Sequence, residues 1–223
     1  MDSTKYFRSY HFPFSKGSTS DDRISKDYSF LENREVIITE KLDGQNNSIC
    51  KGGVYARSHA EYSNHKWDKV IWDVHARIGH QLDEETYIFG EGMGGIHSIE
   101  YKGLSSYFYV FGVRVGNEWL KWDDVCLHAD MLELPTVPVL ARGTFSDIKT
   151  EVEKYVIQPS TLKGVDTITQ REEMEGVVVR NVNGFTKEDS HMNLLKWVRA
   201  GHVQTDSHWT KNWKAHKLIN GFY

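Results

Sequence analysis

Short apolar segments alternate with polar turns along much of the chain, and most of these segments are strand-like. They are rich in β-branched or aromatic residues and are bounded by Gly, Asn or Asp, which is typical of strands in a partly buried sheet. The segments that we predict as strands are 36–39, 48–50, 87–89, 107–111 and 176–180.

Helical periodicity is clearest at 62–78, 122–132 and 205–219, and a fourth helix is predicted at 146–156, where Ser146 or Asp147 supplies a cap. Strands and helices do not alternate strictly, which favours an α+β fold over a doubly wound parallel sheet. We therefore predict largely antiparallel sheets with flanking helices. No repeat or long linker interrupts the chain, so one domain is expected over 1–223.

The composition is that of a globular protein that buries one good core. Hydrophobic residues make up 39% and charged residues 26% of the 223 positions, with seven Trp, eleven Tyr and ten Phe. No apolar run approaches the ~20 residues of a membrane span, and the N-terminus has no basic segment followed by an apolar one. We expect a cytoplasmic monomer with no membrane partner.

Charge is distributed unevenly along the chain. A net charge of −4 argues against a protein whose whole surface binds phosphates, but 190–223 carries five basic residues and one acidic residue. Lys211, Lys214 and Arg199 are therefore candidate nucleic-acid contacts, with a solvated face as the alternative. The predicted helix 205–219 would place Trp209 and Trp213 on one stripe, either to close the core or to lie along a phosphate backbone.

The segment Glu40-Lys41-Leu42-Asp43-Gly44 is the first candidate for chemistry. By itself it is compatible with an ordinary hairpin turn that carries a solvated lysine. The alternative is a nucleophilic amine, for which this segment alone is weak evidence: a lysine that is poorly solvated or close to other cations loses its proton more readily.

Further pieces follow in a fixed order: Glu91 after one predicted strand, Phe111 at the end of an aromatic one, Glu175-Gly176 at the start of another, and Lys196 after Leu194-Leu195. Together with Lys41 they resemble the ordered motifs of the covalent nucleotidyltransferase superfamily of polynucleotide ligases and capping enzymes. The resemblance spans about residues 35–200. Asn46 and Arg57 are similar to the RNA-ligase-2-like branch of that superfamily.

The resemblance implies a nucleotidyltransferase (ATP-grasp-like ligase adenylation) fold, and the 27 residues after Lys196 are too few for an appended OB-fold. It implies ATP and Mg²⁺ (or Mn²⁺) as cofactors. Lys41 would accept the nucleotidyl group. The implied nucleotide contacts are Glu40 at the adenine edge, Leu42, Asn46, Arg57 on a phosphate, Glu91 on the ribose, Phe111 stacked on adenine, Glu175 placing a metal, and Lys196 on the α-phosphate.

One position departs from the superfamily pattern. The last motif usually has two lysines separated by one residue, and here Val198 occupies the second place. Arg199 lies one step further along, so it would replace the missing charge only if a bulge or helical turn intervened. Otherwise it is expected to contact phosphate from the surface.

The function expected from the resemblance is ATP-dependent ligation of 5′-phosphate and 3′-hydroxyl ends through a lysyl-AMP on Lys41. RNA is the expected partner, including a nicked duplex or an RNA/DNA hybrid. The alternatives are a minimal ATP-dependent DNA ligase, a GTP-dependent capping-type guanylyltransferase, and a catalytically silent RNA-binding module. Intact Lys41, Glu91 and Glu175 argue against the last.

Overall fold

The computed structural model describes residues 6–57, 61–201 and 213–220. Its architecture is α+β with largely antiparallel sheets and few helices, as predicted. The strands of the described residues are β1 Tyr10–His11, β2 Glu35–Lys41, β3 Gln45–Cys50, β4 Gly53–Ala56, β5 Thr86–Gly92, β6 Ile99–Tyr101, β7 Phe108–Val115, β8 Glu118–Trp119, β9 Val139–Thr144, β10 Gly164–Asp166, β11 Gly176–Asn181, β12 Phe185–Thr186 and β13 Leu194–Val198.

Two large sheets make up most of the described fold. One has the strand order β1-β13-β11-β2-β9, and the other has the order β12-β8-β7-β5-β3-β4. Within the named strands of the described chain, β1 and β13 are parallel and every other pair is antiparallel. Strands β6 and β10 form a separate two-stranded sheet.

Three α-helices flank the sheets in the described residues: α1 Lys69–Ile78, α2 Trp122–Met131 and α3 Ile148–Tyr155. The predictions 122–132 and 146–156 are confirmed to within two residues. Asp147 caps α3, because its carboxylate accepts a hydrogen bond from the Thr150 N–H at 3.0 Å. None of the described helices has the length and apolar character needed to cross a membrane.

The helix predicted at 62–78 begins later than expected. Its first part is a bridge between Tyr62 and Tyr55, followed by a 3₁₀ turn at Lys66–Asp68. Asp68 is buried, and its carboxylate accepts hydrogen bonds from Gln45, Asn47 and Ser63. These contacts tie the turn to β3, so tertiary hydrogen bonding overrides the helical pattern before Lys69.

The helix predicted at 205–219 is wrong over its described part. Residues 213–220 form no helix, and 205–212, with Trp209 and Lys211, lie outside the described residues. Ala215 pairs with Gly95 instead, and the Ile219 N–H donates to the Leu104 oxygen at 2.9 Å. The backbone groups that a helix would pair internally are paired with the 95–104 region.

The five-stranded sheet is buried on both faces. Successive side chains of β2 point to opposite faces, and both faces are covered by apolar residues. Val36 and Ile38 pack with α3 and with N-terminal residues in one apolar cluster. Ile37 points the other way, into the larger cluster that contains the six-stranded sheet, α1 and α2. Strand β2 therefore links the two halves of the fold, and the residues at its end come to lie between the two sheets.

Candidate active site

A cleft with a volume of ≈ 680 Å³ opens between the two large sheets. Its walls come from β2, β11 and β13 on one side and from β3, β4, β5 and β7 on the other. Eight of the residues that the sequence predicts for nucleotide chemistry line it: Glu40, Lys41, Leu42, Asn46, Arg57, Glu91, Phe111 and Lys196.

Alternation along the strands explains which side chains of the five-stranded sheet enter the cleft. In β13, Leu195 and Trp197 face the α3 side of the sheet, while Lys196 lines the cleft. In β11, Val177 packs with the α3 side and Val178 faces the cleft, directly opposite Lys196 in the register. The aliphatic and cationic parts of the cleft wall are thus adjacent.

Lys41 ends β2, and the strand register places it beside the Glu175-Gly176 pair. Gly176 is the register partner of Lys41, and Glu175 immediately precedes it. The Lys41 ammonium donates a hydrogen bond of 2.5 Å to Glu175 Oε2. Gly176 is needed at this position, because a Cβ there would lie 2.0 Å from the backbone oxygen of Trp197.

The turn at Asp43-Gly44 is not a hairpin, which excludes the simpler interpretation of the Lys41 segment. It connects β2 to β3, and these strands belong to different sheets. Asp43 is buried, and its Oδ2 accepts hydrogen bonds from the Ser98 N–H at 2.7 Å, the Ser98 hydroxyl at 2.6 Å and the Ile99 N–H at 2.9 Å. The aspartate of this motif therefore fixes the loop that holds Lys41 between the sheets.

The charges around Lys41 favour its ammonium form. Burial alone would lower the pKa of Lys41, but the carboxylates of Glu175, Glu91 and Asp43 outweigh it and leave that pKa above its usual value. Burial raises the pKa of Glu175 to about 7 against the opposing effect of the Lys41 cation. The nucleophile candidate is thus held in an ion pair with a buried glutamate, while its own side chain is half-buried.

Glu91 occupies the opposite wall, within β5 rather than after it as predicted. Its register partner is Asn46 of β3, so the two polar side chains are neighbours across the strands. Burial, partly offset by Lys41, raises the pKa of Glu91 to about 8. A hydrogen-bonding group of this kind suits the hydroxyls of a sugar.

Phe111 lies in the middle of β7 and not at its end as predicted. The pairing of β5 with β7 shifts register here: Phe89 is opposite Gly112 and Gly90 is opposite Val110. Phe111 is therefore the extra residue of a β-bulge, a feature that re-aims a side chain. Its ring lines the cleft.

Glu40 is 1% exposed, and its two carboxylate oxygens are in different situations. Oε2 accepts hydrogen bonds from the N–H and hydroxyl of Thr161. Oε1 has no hydrogen-bond partner among the described residues. A buried acceptor of this kind requires a donor, and the exocyclic amine of a purine is one.

Lys196 is accompanied by the N-terminal segment, a contact that no motif predicts. Its Nζ lies 3.9 Å from Asp22 Oδ1, and His11 Nε2 lies 3.3 Å from the same oxygen. Burial and the neighbouring Lys41 cation lower the pKa of Lys196 to about 8, although Asp22 and Glu175 oppose them. Asp22 therefore favours the charged form of Lys196.

Three further residues are predicted as phosphate or nucleic-acid contacts: Arg57, Lys214 and Lys211. Arg57 is exposed at the cleft, and its N–H donates to the Asn46 oxygen at 3.1 Å. Lys214 is exposed, and its backbone oxygen accepts from the Ile96 N–H at 2.8 Å. Lys211 lies outside the described residues. Their contacts with nucleic acid stay predictions.

Arg199 does not line the cleft. Its guanidinium is paired with Asp166 and, at 3.0 Å, with Glu173 Oε2. Strands β13 and β11 pair without a register shift, so the bulge that would bring Arg199 to the face of a second lysine is not present. Any contact of Arg199 with phosphate stays a prediction, now for a side chain that already has two carboxylate partners.

Several cleft residues were missed from the sequence. Tyr6 packs edge-on against Phe111, with the ring centroids 5.1 Å apart. Arg180, His65 and Trp67 also line the cleft. No local pattern points to Tyr6 or Arg180, whereas the aromatic and basic character of 65–67 was visible in the sequence.

Within residues 6–57, 61–201 and 213–220, no group of three or more His, Cys, Asp or Glu side chains could hold a metal ion. Mg²⁺ is usually bound through one or two carboxylates together with substrate phosphates and water. Glu175 and Glu91 supply carboxylates in this part of the fold. The residues present fit a metal that enters together with a nucleotide.

The fold and cleft thus define an α+β protein with a half-buried lysine, hydrogen-bonded to a buried glutamate, in the wall of a cleft between two sheets. The model of the RNA ligase family matches residues 34–198, and the chain belongs to this family. No curated protein sequence matches the chain.

Solved structures of Naegleria gruberi RNA ligase share the fold. An alanine variant with ATP and Mn is 15% identical with a TM-score of 0.55, and the match covers 87% of this chain and 59% of that one. An apo alanine variant is 15% identical, TM-score 0.57, with 87% and 58% covered. The enzyme with PPi is 13% identical, TM-score 0.53, with 87% and 60% covered. This chain therefore spans about three fifths of the length of these structures.

Proposed function

We propose that this protein is an ATP-dependent RNA ligase that joins 5′-phosphate and 3′-hydroxyl ends through a covalent AMP on Lys41. The observation that carries the proposal is the position of Lys41, which ends β2, lines the cleft with the other predicted nucleotide contacts and donates a hydrogen bond of 2.5 Å to Glu175. Its support is the membership in the RNA ligase family and the fold shared with a ligase solved with ATP and Mn.

In the first step, the neutral Lys41 amine attacks the α-phosphorus of ATP. A bond forms between Nζ and phosphorus, and the bond from that phosphorus to the oxygen of the leaving pyrophosphate breaks. Lys41 must lose a proton beforehand, because the carboxylates around it favour the ammonium form. In the second step, AMP passes from Lys41 to the 5′-phosphate of a strand. In the third step, a 3′-hydroxyl attacks that 5′-phosphate and AMP leaves.

The cleft walls supply the groups that hold the nucleotide. Phe111 presents a ring for the base, and the unpaired Glu40 Oε1 accepts from the adenine amine. Glu91 accepts from the ribose hydroxyls. Lys196 and Arg57 place positive charge beside phosphate oxygens, which is the main requirement for phosphoryl transfer.

Glu175 is proposed to pass from Lys41 to a divalent cation, Mg²⁺ or Mn²⁺, that enters with ATP. Such a cation would supply positive charge that favours the neutral amine of Lys41 and offsets charge on phosphate oxygens. Glu175 is 4% exposed and directly precedes Gly176, the register partner of Lys41, so the start of β11 places it beside Lys41.

Incubation with ATP labelled at the α-phosphate, with Mg²⁺, tests the first step. We expect a protein band that retains label after denaturation and loses it in acid, as a phosphoramidate does. Lys41→Ala should be unlabelled. Lys51→Ala is the matched control, because Lys51 is an exposed lysine paired with Glu84 and does not line the cleft. Label on Lys41→Ala would contradict the proposal.

Substrate choice is tested separately with nicked and single-stranded RNA, DNA and RNA/DNA hybrids. We expect sealed RNA products that depend on Lys41. Labelling by GTP in place of ATP would indicate a guanylyltransferase instead. Labelling by ATP without any joined product would show an adenylyltransferase that is not a ligase.

A further inference from the structure

Two aromatic side chains from the 3₁₀ region before α1 are stacked at the cleft. The rings of His65 and Trp67 lie 4.8 Å apart between centroids, at an angle of 14°. Both are half-buried and both line the cleft. None of the nucleotide roles above uses them.

A network of hydrogen bonds holds this stacked pair in place. The Trp67 indole N–H donates to Gln45 Oε1 at 2.6 Å, and the Gln45 amide donates to Asp68 Oδ2 at 3.2 Å. Asp68 is 1% exposed and also accepts from Asn47 at 3.2 Å. The Trp67 ring, on which His65 stacks, is therefore fixed to β3, next to Asn46, and loses little conformational entropy when a ligand stacks on it.

Basic residues lie in the same part of the fold as the stacked pair. The Lys66 ammonium lies 5.3 Å from the centre of the Trp213 ring, which brings the exposed Lys214 to the same region. Arg57 is exposed at the cleft, and its backbone is bonded to Asn46, the neighbour of the residue that holds Trp67. Fixed aromatic rings among exposed cations are typical of sites that bind single-stranded nucleic acid.

We propose that His65 and Trp67 form a stacking platform for the 5′-terminal base of the strand that carries the 5′-phosphate. This inference rests on the proposed ligase function and identifies part of its polynucleotide site. Arg57 holds the terminal phosphate toward Lys41, the first base stacks on the platform, and Lys66 and Lys214 neutralise phosphates further along the strand.

The test is a thermodynamic cycle on binding. A 3′-fluorescein RNA with a 5′-phosphate is compared with the same RNA lacking its 5′-terminal base, using fluorescence anisotropy without ATP. For the wild-type protein, removal of the base should raise Kd by about tenfold, since stacking of one base contributes about 1–3 kcal/mol. For Trp67→Ala, removal of the base should change Kd by less than about twofold. Trp67→Phe should restore most of the difference.

Trp72→Ala is the matched control. Trp72 is also half-buried, and its indole N–H donates to the Ser63 oxygen at 2.8 Å, but it does not line the cleft. The base-dependent loss should be as large in this variant as in the wild type. An RNA that lacks a base near its 3′ end should bind the wild-type protein almost as well as the intact RNA.

The inference is overturned if the wild-type protein binds the two RNAs equally, a result that needs no variant to fold. It is also overturned if the base-dependent loss persists in Trp67→Ala, or if that variant weakens binding of ATP alone, which would place adenine on the platform. Labelling of the wild-type protein by ATP is measured on the same preparation. Labelling without base dependence removes this inference only, whereas an unlabelled protein removes the proposed function.

Discussion

In the proposed reaction, Lys41 is held in place before ATP binds and is neutral when it attacks. Glu175 holds Lys41 in place, because it accepts a hydrogen bond of 2.5 Å from the Lys41 ammonium. The same contact disfavours the neutral amine, because it raises the pKa of Lys41. Without ATP, the neighbouring carboxylates favour the ammonium form of Lys41, and the proposed reaction requires that another cation replace Lys41 beside Glu175.

The bulge at Phe111 gives the first residue-level prediction. Phe111→Ala should raise the KM for ATP in self-labelling by about tenfold, because an aromatic face for the base is lost. Phe111→Tyr should remain close to wild type. Phe145→Ala is the control, because Phe145 is half-buried in the apolar cluster on the α3 side of the five-stranded sheet. This substitution should lower stability and leave the KM for ATP unchanged. An unchanged KM in Phe111→Ala would place the base elsewhere.

His11 gives a prediction on pH. It is 2% exposed, and burial together with the Lys196 cation lowers its pKa from 6.5 to about 4. The unfolded chain therefore binds more protons than the folded one between these values, and the free energy of unfolding should fall as the pH drops through this window.

Between pH 7 and pH 5, the free energy of unfolding should fall less in His11→Gln than in the wild type. We expect the difference to be on the order of 1 kcal/mol. Urea unfolding at both pH values measures it, and groups common to both proteins cancel in the difference. An equal pH dependence in the two proteins would mean that folding does not lower the pKa of His11.

At the residue scale, the motif order predicted the cleft contacts that depend on chemistry. Lys41, Glu91 and Lys196 are recognisable because their side chains are polar at the ends of apolar segments. Tyr6 and Asp22 are not recognisable in this way. Their role depends on the N-terminal segment folding back on Phe111 and Lys196, a contact between residues far apart in sequence.

At the scale of elements, Gly176 controls how closely β11 approaches β13. Gly176→Ala would place a Cβ 2.0 Å from the Trp197 oxygen, so the strands must separate and move Glu175 away from Lys41. We expect a loss of about 1–3 kcal/mol in urea unfolding and a strong decrease in labelling by ATP.

Gly143→Ala is the companion control for Gly176→Ala. A Cβ at Gly143 would lie 3.1 Å from the end of the Phe145 ring, which can move. This variant should keep its labelling by ATP. If Gly176→Ala were labelled like the wild type, the register of β11 would not be what positions Glu175.

Arg180 connects the two large sheets from β11. Its guanidinium donates to the Leu120 oxygen at 2.8 Å and the Phe111 oxygen at 3.3 Å, and it is 3% exposed. Arg180→Met leaves those carbonyls without their donor, and we expect a loss of about 2–3 kcal/mol in urea unfolding. Arg142→Met should lose less than about 1 kcal/mol, because Arg142 is exposed and paired with Glu35 at the surface. Equal losses would contradict the role of Arg180 between the sheets.

The strands could be predicted from the sequence because their apolar runs are short and β-branched. The sheet to which each strand belongs could not, since β2 and β3 are separated by three residues and yet lie in different sheets. The C-terminal helix was wrong for a related reason. The spacing of Trp209 and Trp213 fits a helix, but the described part of this segment, 213–220, pairs with 95–104 instead.

At the scale of the whole molecule, the cleft exists only when both large sheets are in place. Lys41 and Lys196 come from one sheet, and Glu91 and Phe111 come from the other. A nucleotide that contacts both walls should therefore stabilise both sheets together. The ligand for this test is ATP with a methylene group between the α and β phosphorus atoms, which cannot release pyrophosphate and so binds without labelling Lys41.

At 100 times its Kd, with Mg²⁺, this analogue should stabilise the folded protein by about 2.7 kcal/mol. That corresponds to a rise in Tm of about 5–10 °C for a chain of this size. A single transition should shift as a unit when followed by both tryptophan fluorescence and far-UV circular dichroism. At the analogue concentration used for the wild type, Glu91→Ala and Lys196→Ala should each show a smaller rise in Tm, because each removes a contact from one wall. If one of these variants kept the full shift, the nucleotide would be bound by the opposite sheet alone, and closure between the sheets would play no part in binding.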